Sequence, residues 1–84
     1  MSVRKSIHTR EQAALLKLLK QVRNEACLTQ KQLAERLQVQ QCEISNYERG
    51  EKRLDLIELG QVVDALGLSL EEFVRRYETK IKSG

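Results

Sequence analysis

Apolar residues recur along this chain in a helical rhythm, and short polar starts interrupt it. Leu15, Leu19, Val22 and Ala26 fall on one stripe at helical spacing. Leu33, Ala34 and Leu37 make a second inward group. Leu56, Leu59, Val63 and Leu66 make a third, and Leu70, Phe73, Val74 and Tyr77 are the apolar positions of the last group. Ahead of each group stands a Ser, Thr or Asp, with Gln or Glu three positions on: Thr9 with Gln12, Thr29 with Gln32, Asp55 with Glu58 and Ser69 with Glu72. These are capping boxes, in which each residue satisfies the other's free backbone N–H. Leu28 with Leu33, Leu54 with Leu59 and Leu68 with Phe73 are apolar pairs straddling three of the caps, which fixes the angle of entry into each helix. Val39 and Ile44 form a similar pair around Gln40. The pattern predicts five helices, over 9–25, 29–37, about 40–49, 55–66 and 69–78, with Gly50 and Gly67 as left-handed stops. No alternating pattern competes with them.

Composition sharpens this reading. The chain has 84 residues and no proline, which suits a single all-α domain. The expected division is a flexible N-terminal arm over 1–8, a domain over 9–78 and a flexible tail over 79–84. Cys27 and Cys42 have neither zinc-ligand nor CxxC spacing and read as free thiols, so no metal is expected. No apolar run suits a secretory signal or a membrane span, and the expected setting is cytoplasmic. No Gly-rich phosphate loop or catalytic cluster is present, and His8 has no plausible partner. Neither an enzyme, nor a cofactor, nor a small-molecule ligand is expected. Charge is uneven: residues 1–53 carry a net +5 and residues 54–78 a net −4. The N-terminal part is the side expected to meet a polyanion.

The second and third helices are short and joined by about three residues, Gln38 to Gln40. So tight a link forces a steep crossing, the helix-turn-helix arrangement whose second helix enters the major groove of DNA. On a helical wheel Gln41, Cys42, Ser45, Asn46 and Arg49 share one arc, with Ile44 and Tyr47 opposite. Amides pair a donor with an acceptor and so match adenine N6 and N7. Gln41 and Asn46 are the leading candidates for base contacts. Ser45 suits a base or a phosphate, and Arg49 a guanine or a phosphate. An ordinary polar surface helix is the competing reading.

Thr29-Gln30, Leu33-Ala34, Leu37, Val39, Ile44-Ser45, Tyr47-Glu48 and Gly50 together resemble the Cro/CI, or XRE, family of lambdoid repressors, and the likeness extends over residues 16–77. It implies a compact five-helix, lambda-repressor-like DNA-binding domain. It further implies that Gln30 holds a phosphate, that Gln41, Cys42 and Asn46 meet bases, and that Arg23 pairs with Glu48 and presents itself to the backbone. The sequence departs from the family at Cys27 and Gln38, where glycine is usual and a left-handed residue is expected, at a modest strain cost. Gln40 is a poor cap for the third helix. Three roles are open to Glu43: repelling phosphate, capping its own helix, or accepting from cytosine N4.

The loop Arg49-Gly50-Glu51-Lys52-Arg53 places Lys52 and Arg53 where a DNA backbone would run. The expected function is a sequence-specific regulator of the repressor or controller type. It would bind double-stranded DNA as a homodimer on a palindromic site, with Leu70, Val74, Tyr77 and Ile81 as candidates for the dimer face. The alternative is a protein-interaction module or antitoxin-like partner that keeps the fold with weak or no specific DNA binding. Glu43 and the modest net charge favour that reading, with the acidic later helices as its working surface.

Overall fold

A computed structural model describes residues 10–83. It contains α1 (Arg10–Glu25), α2 (Gln30–Leu37), α3 (Gln41–Glu48), α4 (Leu56–Ala65) and α5 (Leu70–Ser83), and no strand among the described residues. The arm over 1–8 and the Thr9 cap lie outside the described residues.

The predicted starts are built as hydrogen bonds. Thr29 Oγ1 accepts from the Gln32 N–H at 3.1 Å, and Gln32 Oε1 accepts from the Thr29 N–H at 2.9 Å. Asp55 and Glu58 make the same reciprocal pair at 2.7 and 3.1 Å. Ser69 Oγ accepts from the Glu72 N–H at 3.1 Å.

Helices α1 to α4 share one mode of ending. One residue adopts a left-handed backbone, and the next returns its N–H to the carbonyl five positions back. Leu28 returns to Arg23, Val39 to Ala34, Glu51 to Asn46 and Leu68 to Val63. The left-handed residues are Cys27 and Gln38 (both φ 59°), Gly50 (φ 80°) and Gly67 (φ 87°). The positions expected to be left-handed without glycine are therefore so. This ending satisfies carbonyls that a helix end leaves open and turns the chain sharply. It also sets Leu28 and Leu68 directly before the next caps, so each link stops one helix and starts another.

The helices pack in a closed ring, each against two main neighbours, in the order α1, α5, α4, α2, α3 and back to α1. Its centre holds one fully buried side chain from every helix: Leu19, Leu33, Ile44, Val63 and Phe73. Burying side chains of this size contributes about 1.5–3 kcal/mol each, so all five segments share one core. Polar ties close the periphery: Arg76 pairs with Glu25 at 3.1 Å, the Tyr77 hydroxyl donates to the Glu11 carbonyl at 3.2 Å, and Arg36 donates to the Ala65 carbonyl at 3.1 Å.

The packing corrects three expectations. Leu56 does not face inward; it is 67% exposed, because the inward stripe of α4 runs through Val62, Val63 and Leu66, and Leu56 falls at its edge. Leu18 is buried beside Leu19, because α1 lies between two neighbours and needs a wider apolar face. Residues 79–83 are not a separate tail but the last turns of α5. There the Thr79 hydroxyl donates to the Arg75 carbonyl, and Lys80 and Ile81 line a groove with Arg10, Ala13, Ala14 and Lys17 of α1.

A side chain held left-handed costs roughly 1–2 kcal/mol, partly offset by the lower entropy of the non-glycine unfolded chain. Gln38→Gly is therefore expected to stabilise the domain by about 0.5–1 kcal/mol, a rise of several degrees in Tm at this size. Thermal and urea unfolding of the two proteins checks this.

Candidate nucleic-acid interface

Helix α3 starts at Gln41 without a side-chain cap from Gln40. Instead the Glu43 carboxylate reaches back and accepts from the Gln40 N–H at 3.3 Å. Of the three roles open to Glu43, capping its own helix is the one seen. Ile44 and Tyr47 are buried, and burial raises the Tyr47 phenol well above its ordinary pKa, so it stays neutral. The opposite face carries Gln41 and Cys42, both exposed, and Ser45 and Asn46, both half-buried, as the wheel arranged them.

Three helices meet at Glu48, whose side chain is only 4% exposed. Its Oε2 accepts from Arg23 Nε at 2.7 Å, and its Oε1 accepts from Arg23 Nη2 at 3.3 Å and from Gln30 Nε2 at 2.9 Å. Arg23 Nη1 also donates to the Leu28 carbonyl at 2.7 Å. The expected Arg23–Glu48 pair is thus present, as a two-pronged bond that sets α3 against α1. Gln30 joins it through one amide hydrogen. Its second amide hydrogen has no partner among the described residues. Arg23 is 8% exposed and turned inward, so any contact with phosphate would use only N–H groups left over from Glu48 and Leu28.

The basic residues around α3 fall into two groups. Arg49 and Lys52 are engaged locally. Arg49 bonds Ser45, Asn46 and Glu51. Lys52 Nζ lies 3.1 Å from Glu58 and 3.9 Å from Glu43, and Glu58 raises the pKa of its ammonium. Arg53 is exposed and has no acidic partner among the described residues. Lys17 and Lys20 of α1 join it in effect: both are exposed and share a groove with Arg49 and Gly50 at the end of α3. Sequence reasoning missed these two lysines. They are remote from the loop in the chain, and only the α1–α3 packing sets them beside it.

The link between α2 and α3 is the remaining feature. It is a left-handed Gln38 and two further residues, and it places two eight-residue helices in contact with the polar arc of the second facing out. A helix-turn-helix family model matches residues 19–73 and spans this geometry. The chain belongs to the helix-turn-helix family HTH_3. The family likeness drawn from the motif residues, and the five-helix fold it implied, are borne out.

Solved structures share this helix-turn-helix fold. The restriction-modification controller protein C.Esp1396I is similar with a TM-score of 0.84 and 22% identity, covering 92% of this chain and 100% of that one. The tetramer of that controller in complex with its natural 35 base-pair operator matches at a TM-score of 0.81 and 23% identity, over 88% of this chain and 97% of that one. The clp gene regulator ClgR from Corynebacterium glutamicum matches at 0.76 and 27% identity, over 88% of this chain and 79% of that one. No curated protein matches the chain. No helix among the described residues is long and apolar enough to cross a membrane.

Removing one partner of a buried pair leaves the other charge uncompensated, at about 3–5 kcal/mol. Glu48→Ala is expected to destabilise the helix-turn-helix domain by that amount. The double variant Arg23→Met, Glu48→Leu should recover most of it. Urea unfolding of both variants separates this pair from an ordinary surface bridge, whose loss costs under about 1 kcal/mol.

Proposed function

We propose that this helix-turn-helix protein is a DNA-binding transcriptional regulator of the repressor or controller type, acting in the cytoplasm on double-stranded DNA. One observation carries the reading. The outward face of α3 is polar, short-chained and fixed against α1 and α2 through Glu48, as a helix that fits a groove requires. In this reading Gln41, Cys42, Ser45 and Asn46 meet base edges. Gln30, Arg53, Lys17 and Lys20 hold phosphates on either side. Lys52 joins them where DNA competes for it with Glu58. Family membership supports the same function. The controller's complex with its operator is a precedent within the shared fold.

Glu43 was the chief objection, since a carboxylate facing phosphate repels it. Its engagement with the Gln40 N–H and its closeness to Lys52 supply that charge with local partners. The alternative, an interaction module without specific DNA binding, then rests on the modest net charge and the acidic later helices. Neither catalysis nor a cofactor is invoked.

The reading includes a homodimer whose two α3 helices lie about one DNA turn apart, roughly 34 Å. Among the sequence-derived candidates, Val74 is exposed, while Leu70, Tyr77 and Ile81 are half-buried. Leu56 and Ile57, at 67% and 74% exposure, are the largest apolar groups left open on α4. Leu70 packs within 3.9 Å of where a Gly60 side chain would start, joining α4 to α5 as one apolar surface. A second copy covering Leu56, Ile57 and Val74, with Leu70, Tyr77 and Ile81 along its edge, would bury it.

Selection of bound duplexes from a random pool tests the proposal. A two-fold-symmetric site should emerge, with a steep salt dependence. Gln41→Ala and Asn46→Ala should each cost about 1–3 kcal/mol of base discrimination. Arg53→Ala should weaken all sequences alike and lower the salt slope by about one. Enrichment of no sequence would sink the regulator reading. Ile57→Glu is expected to shift the mass measured by sedimentation from dimer to monomer; an unchanged mass would place the interface elsewhere.

A further inference from the structure

Arg49 closes α3, and its guanidinium folds back over the face that precedes it. Nη1 donates to Ser45 Oγ at 2.6 Å and Nη2 to Asn46 Oδ1 at 2.8 Å. Nε donates to Glu51 Oε2 at 2.7 Å, and Nη2 also lies 3.5 Å from Glu51 Oε1. A guanidinium has five N–H groups and no acceptor. Four are therefore engaged, and every atom they meet must accept. That requirement orients two side chains. Asn46 turns its carboxamide oxygen to Arg49, which leaves its amino group, two donors, as the end free for a ligand. Ser45 accepts through its oxygen, so its hydroxyl hydrogen points elsewhere as a donor. Glu51 holds the guanidinium from the far side, and the contact keeps the Glu51 carboxyl below its ordinary pKa.

We propose that Arg49 is a positioning residue for base specificity: it fixes Asn46 with its amino group outward, so the middle of α3 presents donors and selects guanine over adenine. The proposal rests on the reading of α3 as a DNA-reading helix. An unconstrained asparagine matches adenine, with its oxygen accepting from N6 and its nitrogen donating to N7. With the oxygen committed to Arg49, that two-point match is lost. Guanine offers two acceptors side by side, N7 and O6, and suits a donor-only face. Cytosine presents its N4 donors and is rejected. Glu51 holds Arg49 in the position that imposes this choice and offsets its charge, so Arg49 acts on specificity through Asn46 rather than as a phosphate anchor.

The test compares duplex selection by the native protein, Asn46→Ala and Arg49→Ala. Asn46→Ala identifies the base pair that depends on that side chain. At this position the native protein should favour guanine, with adenine disfavoured by about tenfold. Arg49→Ala should turn the preference there to adenine and leave the other positions unchanged. Adenine already favoured by the native protein would overturn the proposal. So would an Arg49→Ala profile identical to the native one, with uniformly weaker binding and a salt slope lower by about one, since that is the signature of a phosphate contact. Selection that enriches nothing with the native protein would remove the DNA reading itself, and this inference with it. Arg49 is exposed and outside the core, so its loss does not threaten the fold.

Discussion

A carboxylate at the end of α3 sits almost out of reach of water, and much of the reading head's geometry follows from what satisfies it. Glu48 accepts from Arg23 on α1 and Gln30 on α2, and Arg23 goes on to the Leu28 carbonyl between those helices. Burying two charges gains little net stability, because desolvation offsets most of the attraction. Directionality is what the arrangement supplies. A forked guanidinium accepts only a narrow range of carboxylate positions, so α3 is held to one rotation about its axis. The same rotation turns Gln41, Cys42, Ser45 and Asn46 outward.

That constraint works because the surrounding fold is equally determined. Reciprocal caps start α2 and α4, left-handed residues stop α1 to α4, and one buried side chain per helix meets at the centre of the ring. A helix that must fit a groove benefits from being built on rigid elements, since order already present need not be bought from binding energy. Gln30 connects the two ends of the account. One of its amide hydrogens belongs to Glu48, so under the proposed function a phosphate bound to the other would tie the DNA backbone to the group that holds α3.

Much of this was legible in the sequence because it is local. The starts at Thr29, Asp55 and Ser69, the stops at Gly50 and Gly67, and the arc of α3 depend on neighbours within about five positions, whereas the left-handed Cys27 and Gln38 were legible through the glycines usual there in the family. The Arg23–Glu48 pair spans 25 positions and was legible only through the family likeness. What the sequence hid was long-range or terminal. A wheel places Leu56 with Leu59 and Val63, but cannot show that Val62 is buried and Leu56 left exposed. No stop residue follows Glu78, where the pattern ended the helix, and the continuation of α5 to Ser83 is seen only where its last turns run beside α1. Lys17 and Lys20 gain meaning from packing that the sequence does not display. Lys52 and Arg49 read as free cations in the sequence, yet Glu58 and Glu51 hold them, because a charge run says nothing about which carboxylates the fold brings near.

The central claim is that α3 enters the major groove of a duplex, twice, on one face. Methylation interference on the selected duplex tests it most directly, because guanine N7 lies in the major groove and adenine N3 in the minor groove. The account predicts that N7 methylation blocks binding within two short tracts whose centres lie one helical turn apart, and that N3 methylation between them has little effect. Interference confined to adenine N3, or N7 methylation without consequence, would place the protein in the other groove or on the backbone alone and contradict the account.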